Sequence, residues 1–316
     1  MKLRNMNIAW LCAATVAFTS VGAHQNTSST SPWFTGPLLT SGGTVIPQGH
    51  TNWEGYWFST NLNGIYGAHW RASSSLVKNK TMGPTISIAH GLAERWDLSL
   101  SLPYHFNRTE GAHDNGIADV ALGVGYQLIR SPMNTAVPTV KLSLQETFPT
   151  GRYQHLNASK HGTDANGAGS YQTTIAANMQ QLWRIKQHYM RGRFTLSYTI
   201  PRSVKVAGTS VYSVDPTTLG KVDLGNHFNV SLAGELALTQ KIVPALDITY
   251  THSDRNSFNG VGTFVKTQSS ELVTVAPALE YNFSANLGLI AGAWFTVAGR
   301  NTADFTSYVV ALNYYQ

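Results

Sequence analysis

Asp304–Tyr315 reads DFTSYVVALNYY, and this closing stretch decides the fold. Every second residue from Thr306 is apolar or large, namely Tyr308, Val310, Leu312 and Tyr314. The residues between them, Ser307, Val309, Ala311 and Asn313, are small or polar. Side chains of a β-strand alternate between two faces, whereas the apolar residues of a helix recur every three or four positions. The stretch therefore predicts a strand with one apolar face.

The other end of the chain carries an export signal. Lys2 and Arg4 precede an apolar run from Ile8 to Phe18, and small residues follow at 21–23. This order predicts a signal peptide over residues 1–23 that is removed on export. Cleavage would also remove Cys12, the one cysteine of the chain, so the mature protein would form no disulfide. At the C-terminus of an exported chain, an alternating strand is typical of the last strand of a membrane barrel.

Composition supports a barrel. Charged residues make up 12 % of the chain, about half of the usual share of roughly 25 %. Without the signal peptide, the chain has 20 basic and 16 acidic residues and a net charge near +4. No run of Lys or Arg indicates a nucleic-acid partner, and no mature segment is apolar for the roughly 18 residues of a spanning helix.

Residues 24–51 are rich in Ser, Thr, Gly and Pro, and we expect a flexible segment that stays in the periplasm or enters the lumen. The barrel is predicted to occupy 52–316. Twelve alternating segments follow one another there, at 52–60, 82–90, 95–106, 117–129, 137–149, 169–183, 188–200, 224–239, 241–253, 269–283, 286–298 and 304–315.

Connections between these segments alternate in length. Those at 91–94, 130–136, 184–187, 240 and 284–285 are short, whereas those at 61–81, 107–116, 150–168, 201–223 and 254–268 are long. Outer-membrane barrels have short periplasmic turns and long extracellular loops. The sequence therefore predicts an all-β fold, an antiparallel transmembrane β-barrel of about twelve strands in the outer membrane of a Gram-negative bacterium. Aromatic residues cluster near the segment ends and predict two girdles, formed by Trp96, Trp183, Tyr189, Phe283 and Tyr314 on the turn side and by Tyr104, Phe106, Phe148, Tyr250 and Phe305 on the loop side.

Three stretches resemble the family of the MetA pathway of phenol degradation, a group of outer-membrane barrels often called transporters. These are GLAERWDLSLSLPY at 91–104, GIADVALGVGY at 116–126 and FPTG at 148–151. The resemblance covers roughly residues 84–316. It implies an outer-membrane channel, and the preference for aromatic compounds comes from this resemblance alone.

Polar residues on the inward faces of the predicted strands are the candidate site. Ionisable groups at membrane depth are costly against lipid, so they should line water or pair with one another. They could set the field of a pore, or they could form a buried network that plugs or stiffens the barrel. Gly123 and Gly125 could leave room for a solute or mark curvature of the wall. The predicted pore-lining residues are Asp97, Ser99, His105, Asp119, Gly123, Gly125, Lys141, Gln145, Glu235, Asp247 and Glu280.

No pattern in the sequence predicts a metal site, a cofactor or a catalytic site. The histidines lack ligand spacing, and the pairs His113–Asp114 and His252–Ser253 are sequence neighbours, not an arranged triad. The predicted function is a porin-like channel for passive uptake of small aromatic or hydrophobic compounds. The alternative is a sealed structural or adhesive barrel that acts through its extracellular loops. Expected partners are outer-membrane lipid and lipopolysaccharide, the barrel assembly machinery and a small-molecule solute, with no nucleic acid.

Overall fold

A computed structural model describes residues 32–75, 77–260 and 263–316. The predicted signal peptide lies outside these residues. The strands of the described part are β1 (Thr51–Tyr66), β2 (Ala72–Ser74), β3 (Asn79–Ala93), β4 (Trp96–Thr109), β5 (Ala112–Ile117), β6 (Val120–Ile129), β7 (Thr139–Phe148), β8 (Gln172–Ile185), β9 (His188–Pro201), β10 (Val204–Ala207), β11 (Leu219–Asp223), β12 (His227–Ala237), β13 (Ile242–Ser253), β14 (Ser257–Gly260), β15 (Thr263–Lys266), β16 (Ser270–Asn282), β17 (Leu287–Arg300) and β18 (Thr302–Tyr315). A 3-10 turn, Ala158–Lys160, lies in the loop after β7.

Twelve long strands of the described part form a closed antiparallel barrel. Neighbours along the wall are β1, β3, β4, β6, β7, β8, β9, β12, β13, β16, β17 and β18, and β18 pairs with β1 to close it. This closure pairs the backbone N–H and C=O groups of both edge strands, which lipid could not satisfy. In the register, Trp53 lies opposite Tyr314 and Trp57 lies opposite Val310.

The twelve predicted segments correspond one to one with these strands, so the predicted fold and strand number are confirmed. The segment at 117–129 is interrupted, because Ala118 and Asp119 leave the ladder between β5 and β6. Two predicted loops, 201–223 and 254–268, contain strands of their own. They form a separate four-stranded sheet in the order β10, β11, β14, β15. No helix in the described ranges is long and apolar enough to cross a membrane.

Burial alternates along the strands as the predicted faces require. On β18, Tyr308, Val310, Leu312 and Tyr314 are exposed on the outside, whereas Ser307 and Val309 are buried. The sequence left the faces of β1 unassigned, and the structure places Trp53 and Trp57 outside.

Two girdle residues were predicted on the wrong face. Tyr189 shares the inward parity of Arg191 on β9 and lies opposite buried Ala237. Phe305 is 3 % exposed and packs inside the barrel with its ring 4.8 Å from that of Trp294. Its odd number in β18 puts it on the inward face with Val309, because strand faces alternate strictly. The position of residue 305 in the alternation therefore predicts the face of this side chain better than its aromatic character does.

Candidate functional site

The lumen contains residues 33–47 of the N-terminal segment, which runs inward from the start of β1. Leu38, Thr40 and Ile46 are fully buried. Its backbone N–H groups donate to side chains of the inner wall, and these side chains lie in the turn-side halves of their strands. The segment therefore occupies the periplasmic half of the lumen.

Asp247 on β13 is the central attachment point. Its Oδ2 accepts a hydrogen bond from the backbone N–H of Leu38 at 3.0 Å, and its Oδ1 accepts one from that of Thr40 at 2.9 Å. The carbonyl of Thr40 in turn accepts a hydrogen bond from Nη1 of Arg193 at 3.2 Å. Asp247 and Arg193 thereby satisfy three groups of a backbone that has no sheet partner of its own at this point.

A second attachment lies on β16. The backbone N–H of Thr35 donates to Oε2 of Glu280 at 2.7 Å, and the Thr35 hydroxyl donates to Oδ1 of Asn282 at 2.9 Å. Gly288 on β17 faces this point, where an added Cβ would collide with Oγ1 of Thr35. The sequence thus leaves space in the wall for the segment.

Arginine and glutamate side chains form a buried cluster beside these contacts. Nε of Arg191 donates to Glu235 at 2.6 Å, and a second guanidinium nitrogen of Arg191 also contacts that carboxylate. Nε of Arg193 lies 3.3 Å from the same carboxylate. The Arg191 guanidinium also sits 4.3 Å from the ring centroid of Phe34, which adds a cation–π contact to the segment.

The third attachment joins the segment to β4 and β6. Oδ2 of Asp97 accepts a hydrogen bond from the backbone N–H of Ile46 at 3.1 Å. Gln127 accepts from the N–H of Val45 and donates to the carbonyl of Gly43, both at 2.9 Å. Lys141 on β7 lies 3.6 Å from Asp97, so the carboxylate is charge-paired as well as hydrogen-bonded.

Gly123 and Gly125 make room for these polar side chains. A Cβ at Gly125 would collide with Oδ1 of Asp97 and would lie 3.0 Å from Lys141. A Cβ at Gly123 would lie 2.5 Å from Oγ of Ser99. Gly125 therefore permits the Asp97–Lys141 pair and Gly123 leaves room for Ser99, which is a packing role that neither alternative in the sequence analysis named.

Asp119 belongs to the outer end of the lumen. Its carboxylate accepts hydrogen bonds from the backbone N–H groups of Gly151 at 2.9 Å and Ala168 at 2.6 Å. The hydroxyl of Tyr212 donates to the carbonyl of Ala168 at 2.6 Å. Burial raises the pKa of Tyr212 well above its ordinary value, and the charge of Asp119 raises it further. Asp119 and Tyr212 thus hold the loop 149–171 against the barrel mouth.

Apolar residues line one side of the inner wall. The group includes residues of β1, β13, β16, β17 and β18 and contacts Leu38 of the N-terminal segment. Trp294 is 6 % exposed, and its Nε1 donates to Oγ1 of Thr274 at 2.7 Å. We call this group the apolar wall, and its members are Tyr56, Ala245, Ala276, Ile290, Trp294, Phe305, Val309 and Ala311, with Phe58 and Leu272 packed against it.

The remaining predicted residues lie on inward faces away from these clusters. Ser99 and His105 are half-buried on β4, and Gln145 is buried on β7. The predicted set is thus divided between the attachment points of the N-terminal segment, the outer loop and the free inner wall. That they line a solute path stays a prediction.

Sequence reasoning missed three buried charged residues on the barrel strands. Glu54, Arg191 and Arg193 all face inward, each with at most 3 % exposure. Arg191 and Arg193 alternate with Gly192, Phe194 and Leu196 in β9. Applying the two-residue alternation to this strand would have found both arginines.

Neither catalytic pair weighed in the sequence converges. His252 and Ser253 are successive strand residues, so their side chains leave opposite faces of β13. Oγ of Ser253 is instead 2.8 Å from Nδ1 of His227. Within the described ranges, no group of three His, Cys, Asp or Glu residues could hold a metal ion.

Known proteins share this sequence pattern and fold. The family model described as "Putative MetA-pathway of phenol degradation" matches residues 73–312. An outer membrane channel from Pseudomonas putida F1 has a crystal structure that is 14 % identical, with a TM-score of 0.66 over 86 % of this chain and 97 % of that one. At this identity, the likeness shows the fold alone.

Two further solved structures are more distant. The β domain of the Bordetella autotransporter BrkA is 11 % identical, with a TM-score of 0.45 over 83 % of this chain and 98 % of that one. The monoaromatic hydrocarbon channel TodX, in a mutant form, is 12 % identical, with a TM-score of 0.41 over 86 % and 91 %. A search of curated proteins finds no match.

Proposed function

Because this chain belongs to the phenol-degradation family whose model matches 73–312, and because it is a closed outer-membrane barrel, we propose that it is a passive channel for small apolar compounds, aromatic ones included. The class of solute follows from two sources. The family description names phenol degradation, and the lumen contains the apolar wall.

The apolar wall is the observation that carries this proposal. Inward faces of outer-membrane barrels are commonly polar, because they contact water. Here Trp294, Phe305 and Ile290 face inward on neighbouring strands. Apolar surface gains about 25 cal/mol per Å² when it is removed from water, so such a wall favours an apolar solute over a sugar or an ion.

Passage would require the N-terminal segment to move. Leu38 contacts the apolar wall, and Asp247 accepts a hydrogen bond from the backbone N–H of Leu38. The segment is attached at discrete hydrogen bonds and not by a continuous strand ladder. Release of the bonds at Asp247 would separate Leu38 from the wall while the twelve-stranded barrel stays intact.

The test compares uptake by proteoliposomes of a monoaromatic hydrocarbon, an aromatic acid and a disaccharide. We expect the hydrocarbon to enter faster than through protein-free vesicles and the disaccharide to enter slowly. Trp294→Gln with Phe305→Gln should reduce hydrocarbon entry several-fold. Trp53→Gln with Trp57→Gln, on the lipid face, is the matched control and should leave it unchanged. Equal hydrocarbon entry with and without the folded protein would refute the channel.

The alternative is a sealed surface barrel, and one observation favours it. The N-terminal segment occupies the periplasmic half of the lumen, and the loop 149–171 is hydrogen-bonded to Asp119 at its outer end. Deleting residues 154–164 distinguishes the two functions. A channel should gain permeability, whereas an adhesive barrel should lose binding to its target cell or matrix with permeability unchanged.

We also propose that the chain is not an enzyme. The support is the arrangement of its polar groups. The carboxylates of Asp247 and Glu235 are engaged with backbone N–H groups and arginines, and Ser253 contacts His227 without an acid hydrogen-bonded to that imidazole in the described residues. Absence of esterase and peptidase turnover with the folded barrel is the expected result.

A further inference from the structure

Four polar side chains form a row on the outside of the barrel. Lys80 on β3 lies directly opposite Arg108 on β4, and Arg108 lies opposite His113 on β5. Lys80 is also the cross-strand partner of Asn61 on β1. All four occupy outward positions, since they share the parity of exposed Trp57, Ile86, Phe106 and Ile117 on their own strands. We call Asn61, Lys80, Arg108 and His113 the rim row.

The rim row lies at headgroup depth. On β4, the lipid-facing residues run from Trp96 to Phe106, both exposed on the outside. Ten residues span about 33 Å along a strand, or about 25 Å along the membrane normal at a tilt of about 40°, which is the height of the apolar band in such barrels. Arg108 follows Phe106 by one outward position, which places it just beyond that band on the loop side.

Aromatic rings mark the same boundary. The rings of Trp57 and Phe106 lie 6.3 Å apart, and those of Tyr104 and Phe106 lie 5.1 Å apart. The Tyr104 hydroxyl donates to Oδ1 of Asn115, one outward position below His113. Tyr and Trp concentrate where lipid tails meet headgroups, so the rim row begins where the tails end.

The charges in the row are unfavourable without an anion. Directly opposite cross-strand residues have Cβ atoms about 5 Å apart, and like charges there are destabilising. Neither Lys80 nor Arg108 forms an ion pair within the part of the chain that the structure describes, although Asp114 on the inward face of β5 pairs with Lys160. An external anion would remove the repulsion and would accept hydrogen bonds from Lys80 and Arg108.

We propose that the rim row binds a phosphate group of lipopolysaccharide in the outer leaflet. A phosphate has the charge, the acceptor oxygens and the depth that Lys80 and Arg108 require. The acyl chains of the same glycolipid would lie along Ile86, Phe106 and Ile117 below the row. Basic clusters next to an apolar surface are the general form of anionic-lipid sites. This site is independent of any solute in the lumen.

The test measures the melting temperature of the barrel by its heat-modifiable gel mobility, in detergent with and without added lipopolysaccharide. Lys80→Gln with Arg108→Gln is the test variant. Arg95→Gln with Lys241→Gln is the control, since it removes the same charge from exposed positions at the periplasmic turns. We expect lipopolysaccharide to raise the melting temperature of the native protein and of the control, and at least half of that rise to be lost in the test variant.

A second comparison separates binding from folding. Without lipopolysaccharide, the test variant should melt at the same temperature as the native protein or higher, because it removes a repulsive pair. An undiminished rise in the test variant would overturn the proposal, as would an equal rise with enzymatically dephosphorylated lipopolysaccharide. A third measurement adds inorganic phosphate alone. A full rise in melting temperature with phosphate alone would contradict a glycolipid site.

Discussion

The backbone N–H of Thr40 donates a 2.9 Å hydrogen bond to Oδ1 of Asp247, and the two residues are 207 positions apart in the chain. The contact joins a segment without regular structure to the middle of a barrel strand. Asp247 is fully buried, and its second oxygen accepts from Leu38. A carboxylate in this position is stabilised by the two N–H donors that it holds.

The first prediction concerns release of the N-terminal segment. Asp247→Asn keeps the shape of the side chain but removes its charge and one of its two acceptors. Hydrogen bonds to charged groups contribute about 1.5–3 kcal/mol each, so a loss of about 2 kcal/mol would raise the released population roughly 30-fold. Planar-bilayer recordings should show more frequent or larger conductance steps. Asp215→Asn in an exposed outer loop is the control, and an unchanged conductance in Asp247→Asn would contradict the role assigned to this contact.

The second prediction concerns the buried arginine and glutamate cluster. Glu235→Gln leaves Arg191 and Arg193 without their carboxylate, and breaking a buried pair from one side costs about 3–5 kcal/mol. We expect a markedly lower melting temperature by heat-modifiable mobility. Glu271→Gln, which removes the partner of Arg300 at the outer rim, should cost less than about 1 kcal/mol. Equal melting of the two variants would show that the cluster contributes little to stability.

The third prediction concerns Gly125. Gly125→Ala places a Cβ against Asp97 and Lys141, and overpacking of this kind costs about 1–3 kcal/mol. Gly234→Ala is the matched control, because no atom lies within 4 Å of its added Cβ. Unfolding in urea should show Gly125→Ala to be the less stable variant. Hydrogen exchange at 43–46 should also accelerate in it, since Asp97 holds the N–H of Ile46.

The fourth prediction concerns Tyr212 and alkaline pH. Its pKa is raised by burial, so the stability that its protonated hydroxyl contributes is fully present below the ordinary tyrosine pKa of about 10 and is lost as the pH rises through the raised value. We expect trypsin cleavage after Arg152 and Lys160 to stay slow in protein that has been exposed to any pH up to about 10. Each sample is exposed to one pH and then quenched. All samples are digested at one common pH, under conditions that keep the opened state trapped.

Tyr212→Phe supplies the control for this experiment. Losing the hydrogen bond to Ala168 should cost about 1 kcal/mol and speed cleavage about 5-fold near neutral pH. The variant should also lose the part of the alkaline response that Tyr212 causes. If both proteins respond identically at every pH, Tyr212 does not hold the loop.

The C-terminal pair of tyrosines shows how the predicted fold and the observed packing differ. Tyr314 faces lipid as the alternation predicts. Tyr315 faces inward, where its ring stacks on His50 at 5.2 Å and packs with Ile46. The last strand of this barrel therefore also contacts the N-terminal segment, a relationship that no feature within 304–315 indicates.

The amino-acid sequence by itself determined the barrel, its twelve strands, its short turns and the outward or inward side of residues on strands with clear alternation, such as β4, β6 and β18. These properties follow from alternation and loop length, which are local in the chain. It did not determine which inward charges meet one another, or that the backbone of 33–47 would satisfy Asp97, Asp247 and Glu280. Those contacts depend on the register of strands that lie far apart in sequence and on the space that closure of the barrel leaves inside, so only the tertiary structure decided them.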